Sequence, residues 1–367
     1  MGSHQSMRVV VVGASGNVGT SVLRSLSAEP AVESVLGIAR RVPKQSFPKT
    51  EWRQADVARS PLRPLFQGAD AVIHLAWLIQ PGRDKRQLYE VNVEGSARVF
   101  RAAAAAGVGT VVYASSIGAY APGPKDHPVD ESWPTTGIES SFYSRHKAEV
   151  ERLLDRFEDE HPETRVVRLR PGLIFKREAG SGIRRLFAGP LLPSALVQRR
   201  LIPVVPDHPR LVFQAVHSYD VGEAYRLAVV NDDAHGPFNI AANPVLDPDE
   251  LARILGARKL RVPGALLRGG AAVTYALRLQ PSEAGWVDMA LAVPVMDTTR
   301  ARTELGWQPE RSSADALLDL LEGIREGAGL DTPPLEPGGA GPLRVREFAS
   351  GVGARLDARG ARSPAER

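Results

Sequence analysis

The chain has 367 residues, 43% of them hydrophobic, enough to bury the core of one large domain or two modest ones. It contains no cysteine, which excludes disulfide scaffolds, thiolate nucleophiles, Cys-ligated zinc and iron–sulfur clusters. Its formal net charge of +4 sits largely in Arg344 to Arg367, where six Arg face three acids, so the charge argues for no nucleic-acid partner.

Met1-Gly2-Ser3-His4-Gln5-Ser6 reads as an extension, assigned with Met7 to residues 1–7. No basic n-region precedes an apolar stretch there, so export is not expected. Val9 to Val12 is a continuous β-branched run ended by Gly13, the pattern of a strand buried on both faces of a parallel sheet. Asn17 to Ala28 has helical spacing in Val18, Val22, Leu23 and Leu26. Strand-like runs recur at Val35 to Ala39, Ala71 to Ala76, Thr110 to Ala114 and Arg165 to Leu169. Helical stretches separate them, notably Lys85 to Ala106 and Phe142 to Glu160. This alternation predicts an α/β fold, a doubly wound parallel sheet of the Rossmann type over residues 8–172.

Beyond Pro171 the regularity weakens. Residues 173–326 read as a smaller, mostly helical substrate-binding region, with some segments returning to the Rossmann core. Within it, residues 176–212 are rich in Gly, Pro and Arg, and residues 247–295 are irregularly helical. Asp220-Val221-Gly222-Glu223 has the spacing of a capping box opening a helix to Val230. Ser312 to Arg325 closes the fold with Ala314, Leu317, Leu318, Leu321 and Ile324 on one face. From Gly327 to Pro342 nine of sixteen residues are Gly or Pro, so residues 327–367 are expected to be a disordered tail. No apolar run reaches the ~18 residues of a membrane span, which predicts a soluble, cytoplasmic chain without membrane or nucleic-acid partners.

Gly13-Ala14-Ser15-Gly16-Asn17-Val18-Gly19 follows the first strand and opens the first helix. Such a loop allows a pyrophosphate to approach the backbone and meet the N–H groups and dipole of the helix N-terminus. Side chains at Gly13 or Gly16 would block that approach, and Gly19 would let the helix sit near the strand. NAD sites place an acid at the end of the second strand, whereas NADP sites offer Arg. Ala39-Arg40-Arg41 stands there, which favours NADP over NAD, with Arg40 as the contact.

Tyr143 and Lys147 lie one helical turn apart on one face. A free phenol titrates near pKa 10, and an adjacent ammonium would bring it towards neutral pH. Ser116 falls at the carboxyl end of a parallel strand, where ligands bind in such sheets. The eight His form no H-x-x-x-H or H-E-x-x-H pair, so no metal site is expected. His74 reads as a buried strand-end residue, and Trp77 as either a pocket floor or ordinary packing.

In order, these segments resemble the extended short-chain dehydrogenases/reductases, the NAD-dependent epimerase/dehydratase family, over about residues 8 to 326. The glycine loop, Asp56-Val57, His74-Leu75-Ala76, Asn92 and Ser115-Ser116-Ile117-Gly118-Ala119-Tyr120 carry the likeness. So do Tyr143 with Lys147, Arg170-Pro171-Gly172 and Glu304-Leu305-Gly306-Trp307-Gln308-Pro309. The resemblance implies Tyr143 as general acid/base, Lys147 holding the nicotinamide ribose, and Ser116 on the reacting oxygen. It implies a cofactor site of Gly13, Ser15, Gly16, Asn17, Val18, Gly19, Asp56, Val57, Leu75, Ala76, Asn92, Ala114, Tyr143, Lys147 and Pro171, beside Arg40. Trp77, Ser116 and Tyr143 would touch a small-molecule substrate, and homodimers form in many relatives through the two long helices flanking the sheet.

The chain also departs from its relatives. Dehydratases carry an Asp-Glu pair where Ile117 and Gly118 stand, and UDP-galactose 4-epimerases carry a diphosphate-binding Arg where Phe213 stands, with Arg184, Arg185 and Arg210 nearby. An oxidoreductase of a carbonyl or alcohol is therefore favoured. A nucleotide-sugar epimerase with retained NAD is the alternative, and a non-catalytic NADP sensor ranks below both.

Overall fold

The computed structural model describes residues 6–79, 84–187, 202–277 and 282–336. Its centre is a seven-stranded parallel sheet made of β1 (Met7–Val12), β2 (Val32–Ala39), β3 (Thr50–Gln54), β4 (Ala71–His74), β5 (Thr110–Ala114), β6 (Arg165–Pro171) and β7 (Gly236–Ile240). The spatial order is β7-β6-β5-β4-β1-β2-β3. Val9 and Val11 face one layer, α1 (Asn17–Ala28) and α4 (Ser218–Val230). Val10 and Val12 face the other, α2 (Gly95–Ala105) and α3 (Phe142–Glu160). Burial on both faces is why the strand reads as an unbroken apolar run.

Two strands left no such run, and both are edges. In β3, Glu51, Arg53 and Gln54 are exposed, and β7 carries Pro237, which an edge strand tolerates. β7 and α4 come from beyond residue 172, within the region whose segments were expected to return in part to the Rossmann core.

The expected single helix from Lys85 to Ala106 is three pieces: Lys85–Tyr89, a π-turn over Glu90–Glu94, and α2. At the junction a Cβ on Gly95 would lie 2.8 Å from Val57, so the chain passes tightly under the segment after β3. The capping box expected at Asp220 and Glu223 is absent. Instead α4 starts at Ser218, and His217 caps it by accepting from the Tyr219 N–H. Asp220 lies inside the first turn and accepts from the Arg311 backbone N–H at 3.1 Å and its guanidinium at 3.2 Å. A capping box does form later in the chain, where Ser312 and Asp315 open α6 (Ser313–Glu326). The fully buried Trp307 donates its Nε1–H to the Asp220 carbonyl at 2.7 Å, fastening the segment before α6 to α4.

Both ends of the fold extend further than composition implied. Met7 already pairs in the sheet, its N–H donating to the Ala31 carbonyl at 2.8 Å. Past Gly327, Thr332 and Leu335 are buried, and the Ala328 N–H donates to the Gly323 carbonyl. Pro/Gly content near 327 marks a change of direction there, not the loss of packing. The arginine-rich segment from Arg344 lies outside the described residues, as does part of the 176–212 stretch. Among the described residues no helix is long and apolar enough to cross a membrane.

Beneath the carboxyl ends of β5 and β6 lies a buried ionic cluster. Glu151 of α3 accepts from Ser115 Oγ at 2.5 Å, Arg170 Nε at 2.9 Å and Arg168 Nη1 at 3.1 Å. Arg168 also reaches Asp155 and Glu158. Burial alone would raise the Glu151 carboxyl, but the two guanidiniums and the Ser115 hydroxyl hold it at about 2. A carboxyl held below its ordinary value stabilises the fold above that value, and the stability is lost as pH falls towards 2. Glu151→Gln should leave two buried guanidiniums underpaired and cost about 3 kcal/mol at pH 7, read by denaturant unfolding. A loss below about 1 kcal/mol would show that Asp155 and Glu158 compensate.

Candidate active site

The glycine loop crosses the carboxyl edge of the sheet between β1 and α1. Gly13 has φ +90°, and a Cβ there would lie 2.7 Å from the Ala76 nitrogen. A Cβ on Gly19 would lie 2.5 Å from the carbonyls of Gly13 and Ala14. Both glycines are therefore required by the protein's own packing. Gly16 differs, because a Cβ there would meet just the Gly13 carbonyl, at 3.5 Å. It caps α1 with no side-chain hydrogen bond, and no acid lies in the first turn. An open cradle at an uncapped helix N-terminus fits a dinucleotide's diphosphate.

The neighbouring strand ends complete this rim. The Leu75 N–H donates to the Val12 carbonyl, which draws Leu75 and Ala76 against the loop. Asp56 accepts from the Ala58 N–H at 2.9 Å, and Val57 is buried beside Gly95. Arg40 is exposed just past β2. Ser15 is buried at the loop, Val18 is half-buried on the first turn, and the Asn17 amide donates to the Ile174 carbonyl. Both ends of the Asn92 amide are engaged with the backbone of Leu78, at 2.7 and 2.8 Å, so Asn92 braces the segment that carries Trp77. His74 is fully buried, with Ser96 at 2.9 Å, and burial holds its imidazole at about 3. It is a neutral packing residue.

Tyr143 and Lys147 stand on α3 beside this rim. Ser141 caps the helix, and Ser144 Oγ bridges the Gly118 carbonyl and the Ile138 N–H, docking α3 on the turn Ile117–Ala119. Ser116 caps that turn by accepting from the Gly118 N–H at 3.0 Å, and its hydroxyl acts to lower the Tyr143 phenol. A Cβ on Gly118 would lie 2.9 Å from the Tyr143 ring and 3.1 Å from Met289 Sδ. No acidic side chain fits where dehydratase relatives have one.

Trp77 lies edge-to-face with Tyr143 at 5.9 Å, and Trp286 of α5 (Gly285–Ala292) is tilted against it at 5.0 Å. Lys147 points its Nζ at the Ala114 carbonyl, 2.5 Å away, and over the Trp77 ring, 3.5 Å from its centroid. Burial raises the Tyr143 phenol, and its bond to Ser116 acts in the opposite direction. Burial also pushes the Lys147 ammonium well down, against the pull of Glu151. The expected lowering of Tyr143 by Lys147 is thus not present in this arrangement: the ammonium is desolvated and faces Trp77 instead of the phenol.

The structure brings Ser116, Tyr143, Lys147, Ala114, Trp77 and the glycine rim to one edge of the sheet, with Pro171 at the end of β6. It does not bring Arg210 there, since that guanidinium donates to the Leu291 and Gly123 carbonyls at 2.7 and 2.9 Å. Trp286 and Met289 were missed, because their helix carries no pattern that separates a pocket wall from core. Among the described residues no group of His, Asp and Glu could hold a metal.

An uncharacterized protein of Mycobacterium tuberculosis is 28% identical over 326 residues, 88% of this chain and 31% of that protein, so the chain spans about a third of its length. Sterol-4-alpha-carboxylate 3-dehydrogenase, decarboxylating, of Saccharomyces cerevisiae is 30% identical over 160 residues, 44% of this chain and 44% of the enzyme. Among solved structures, UDP-glucose-4-epimerase from Stenotrophomonas maltophila, with bound NAD and formylated UDP-arabinopyranose, is similar at a TM-score of 0.64 and 23% identity. That match covers 87% of this chain and 98% of the epimerase, and it speaks to the fold. A family model matches residues 9–241, and with the doubly wound sheet and its glycine rim the conclusion is direct: the chain belongs to the NAD dependent epimerase/dehydratase family.

Proposed function

We propose that the chain is an NAD(P)-dependent oxidoreductase that interconverts an alcohol and a carbonyl compound. The convergence of Ser116, Tyr143 and Lys147 beside the glycine rim carries this reading. When bound, the nicotinamide supplies or accepts the hydride. Tyr143, its phenol raised by burial, holds the proton that a carbonyl oxygen would take on reduction. Ser116 orients that proton through its hydroxyl, and its own lone pair is fixed by the Gly118 N–H. Lys147 would hold the nicotinamide ribose once it leaves the Trp77 face. The walls formed by Trp77, Ile117, Trp286 and Met289 exclude water and favour an apolar substrate body.

NADP is the favoured cofactor, on Arg40. A nucleotide-sugar epimerase with retained NAD is the second reading, supported by the NAD and UDP-sugar named for the Stenotrophomonas structure. Phe213 at the diphosphate-contact position and the carbonyl-bound Arg210 weigh against it. Denaturing the purified protein and identifying any released nucleotide separates the two, since stoichiometric NAD would favour the epimerase.

Tyr143→Phe should lower turnover at least ~100-fold with the dinucleotide Kd unchanged; unchanged turnover on a validated substrate would sink the mechanism. Arg40→Ala should weaken NADPH about tenfold and leave NADH unmoved, read by fluorescence titration; equal loss of both would remove the NADP argument. Gly16→Ala should melt within about 2 °C of the parent yet bind dinucleotide at least ~10-fold more weakly. A matched fall in melting temperature would instead make Gly16 a structural residue.

A further inference from the structure

Lys176 is 1% exposed, yet its sequence neighbourhood is unremarked by the chemistry above. Its Nζ donates to the Asn17 carbonyl at 2.8 Å, Thr20 Oγ1 at 2.7 Å and Ser21 Oγ at 3.1 Å, all on the first turns of α1. Thr20 Oγ1 in turn donates to the Gly16 carbonyl at 3.1 Å. The ammonium therefore sits one hydrogen bond from the open cradle, and all three of its acceptors are neutral.

Among the described residues no carboxylate pairs with it directly. Glu178 accepts from the Tyr219 hydroxyl at 2.8 Å, and the Arg24 guanidinium lies 4.2 Å over the same ring. Arg311 is bound to Asp220, and His217 faces Asp319 at 3.2 Å. A buried cation is costly unless an anion compensates it. Fastening α1 to the segment after β6 would need hydrogen bonds but no charge, and a neutral donor would serve.

We propose that Lys176 is a positioning residue for the diphosphate of the dinucleotide: a buried ammonium that raises the positive potential at the N-terminus of α1, where the ligand's negative charge completes the pairing the protein omits. The proposal rests on the cofactor reading above and adds a residue to it. Burial lowers the Lys176 ammonium to about 8, with Glu178 opposing and Arg24 assisting. A bound diphosphate favours the charged form, so affinity holds below that pH and falls as pH rises through it.

Titration with ADP and with adenosine between about pH 7.5 and 9.5 tests this on the intact chain. ADP affinity should fall about tenfold across that range while adenosine affinity stays flat. Lys176→Met should weaken ADP about five- to tenfold at the lower pH and flatten its pH dependence. Lys176→Arg, which keeps the charge, should retain affinity without the alkaline fall. Parent-like ADP affinity and slope in the Met variant would overturn the proposal, as would equal loss of adenosine, which marks a displaced helix. If the Met variant does not fold, the parent and Arg profiles decide alone. ADP that binds with no pH dependence overturns this inference and leaves the cofactor reading standing, whereas no ADP binding at all overturns both.

Discussion

The carboxylate of Glu151 fixes how α3 meets the sheet. Tyr143, Lys147 and Glu151 are spaced by one helical turn each, so they share a face of α3. The last of them is anchored to Ser115 at the end of β5 and to Arg168 and Arg170 in β6. Rotating or sliding α3 would break several charge-assisted bonds in a buried setting, where an unpaired group is penalised most. The phenol two turns earlier inherits that rigidity. Ser144 adds a second anchor at the helix start, through the Gly118 carbonyl, so Ser116 and Tyr143 are held in one frame.

That cluster also explains what the resemblance left undefined about Arg170. The Arg170-Pro171-Gly172 turn lies at the carboxyl edge of the sheet, yet the guanidinium points inward to Glu151 and to the Tyr120 hydroxyl at 3.0 Å. Tyr120 in turn donates to Asn239 of β7 at 2.6 Å. A chain of buried polar contacts thus joins α3, the segment after β5, and the edge strand that comes from the far side of residue 172. Sheet and site form one polar scaffold. Dividing the chain at 172 would cut through it.

The parts legible in the sequence were those where one physical demand dominates. Val9 to Val12 is apolar on both faces because helices cover both, and Gly13 and Gly19 leave no room for a Cβ. Where two demands compete, pattern misleads. Asp220 sits early in a helix, as a cap residue would, but the Arg311 contact and the Trp307 bond to its carbonyl set its place. Gly327 and the prolines after it resemble a tail, yet Leu335 is buried against the fold. The π-turn at Asn92 was invisible as well: it holds the Asn92 amide against the distant Leu78 backbone, a contact that spacing along the helix does not encode.

Residues whose identity the protein's own packing does not explain are the informative ones at this site. Gly19 is accounted for by two carbonyls at 2.5 Å, whereas a Cβ on Gly16 would meet the Gly13 carbonyl at an ordinary contact distance of 3.5 Å. Lys147 and Lys176 are both buried ammonium groups bonded to neutral acceptors, one on each side of the glycine rim. Among the described residues no carboxylate within hydrogen-bond reach repays the desolvation of either, and on the proposed cofactor reading the dinucleotide would do so, its ribose at one and its diphosphate at the other. Arg210 stands in contrast, since its Nε and Nη2 are turned to backbone carbonyls away from the glycine rim. On the proposed oxidoreductase reading, the positive charge at the site serves the cofactor, while the side bounded by Trp77, Trp286 and Met289 suits an apolar body carrying one reactive oxygen.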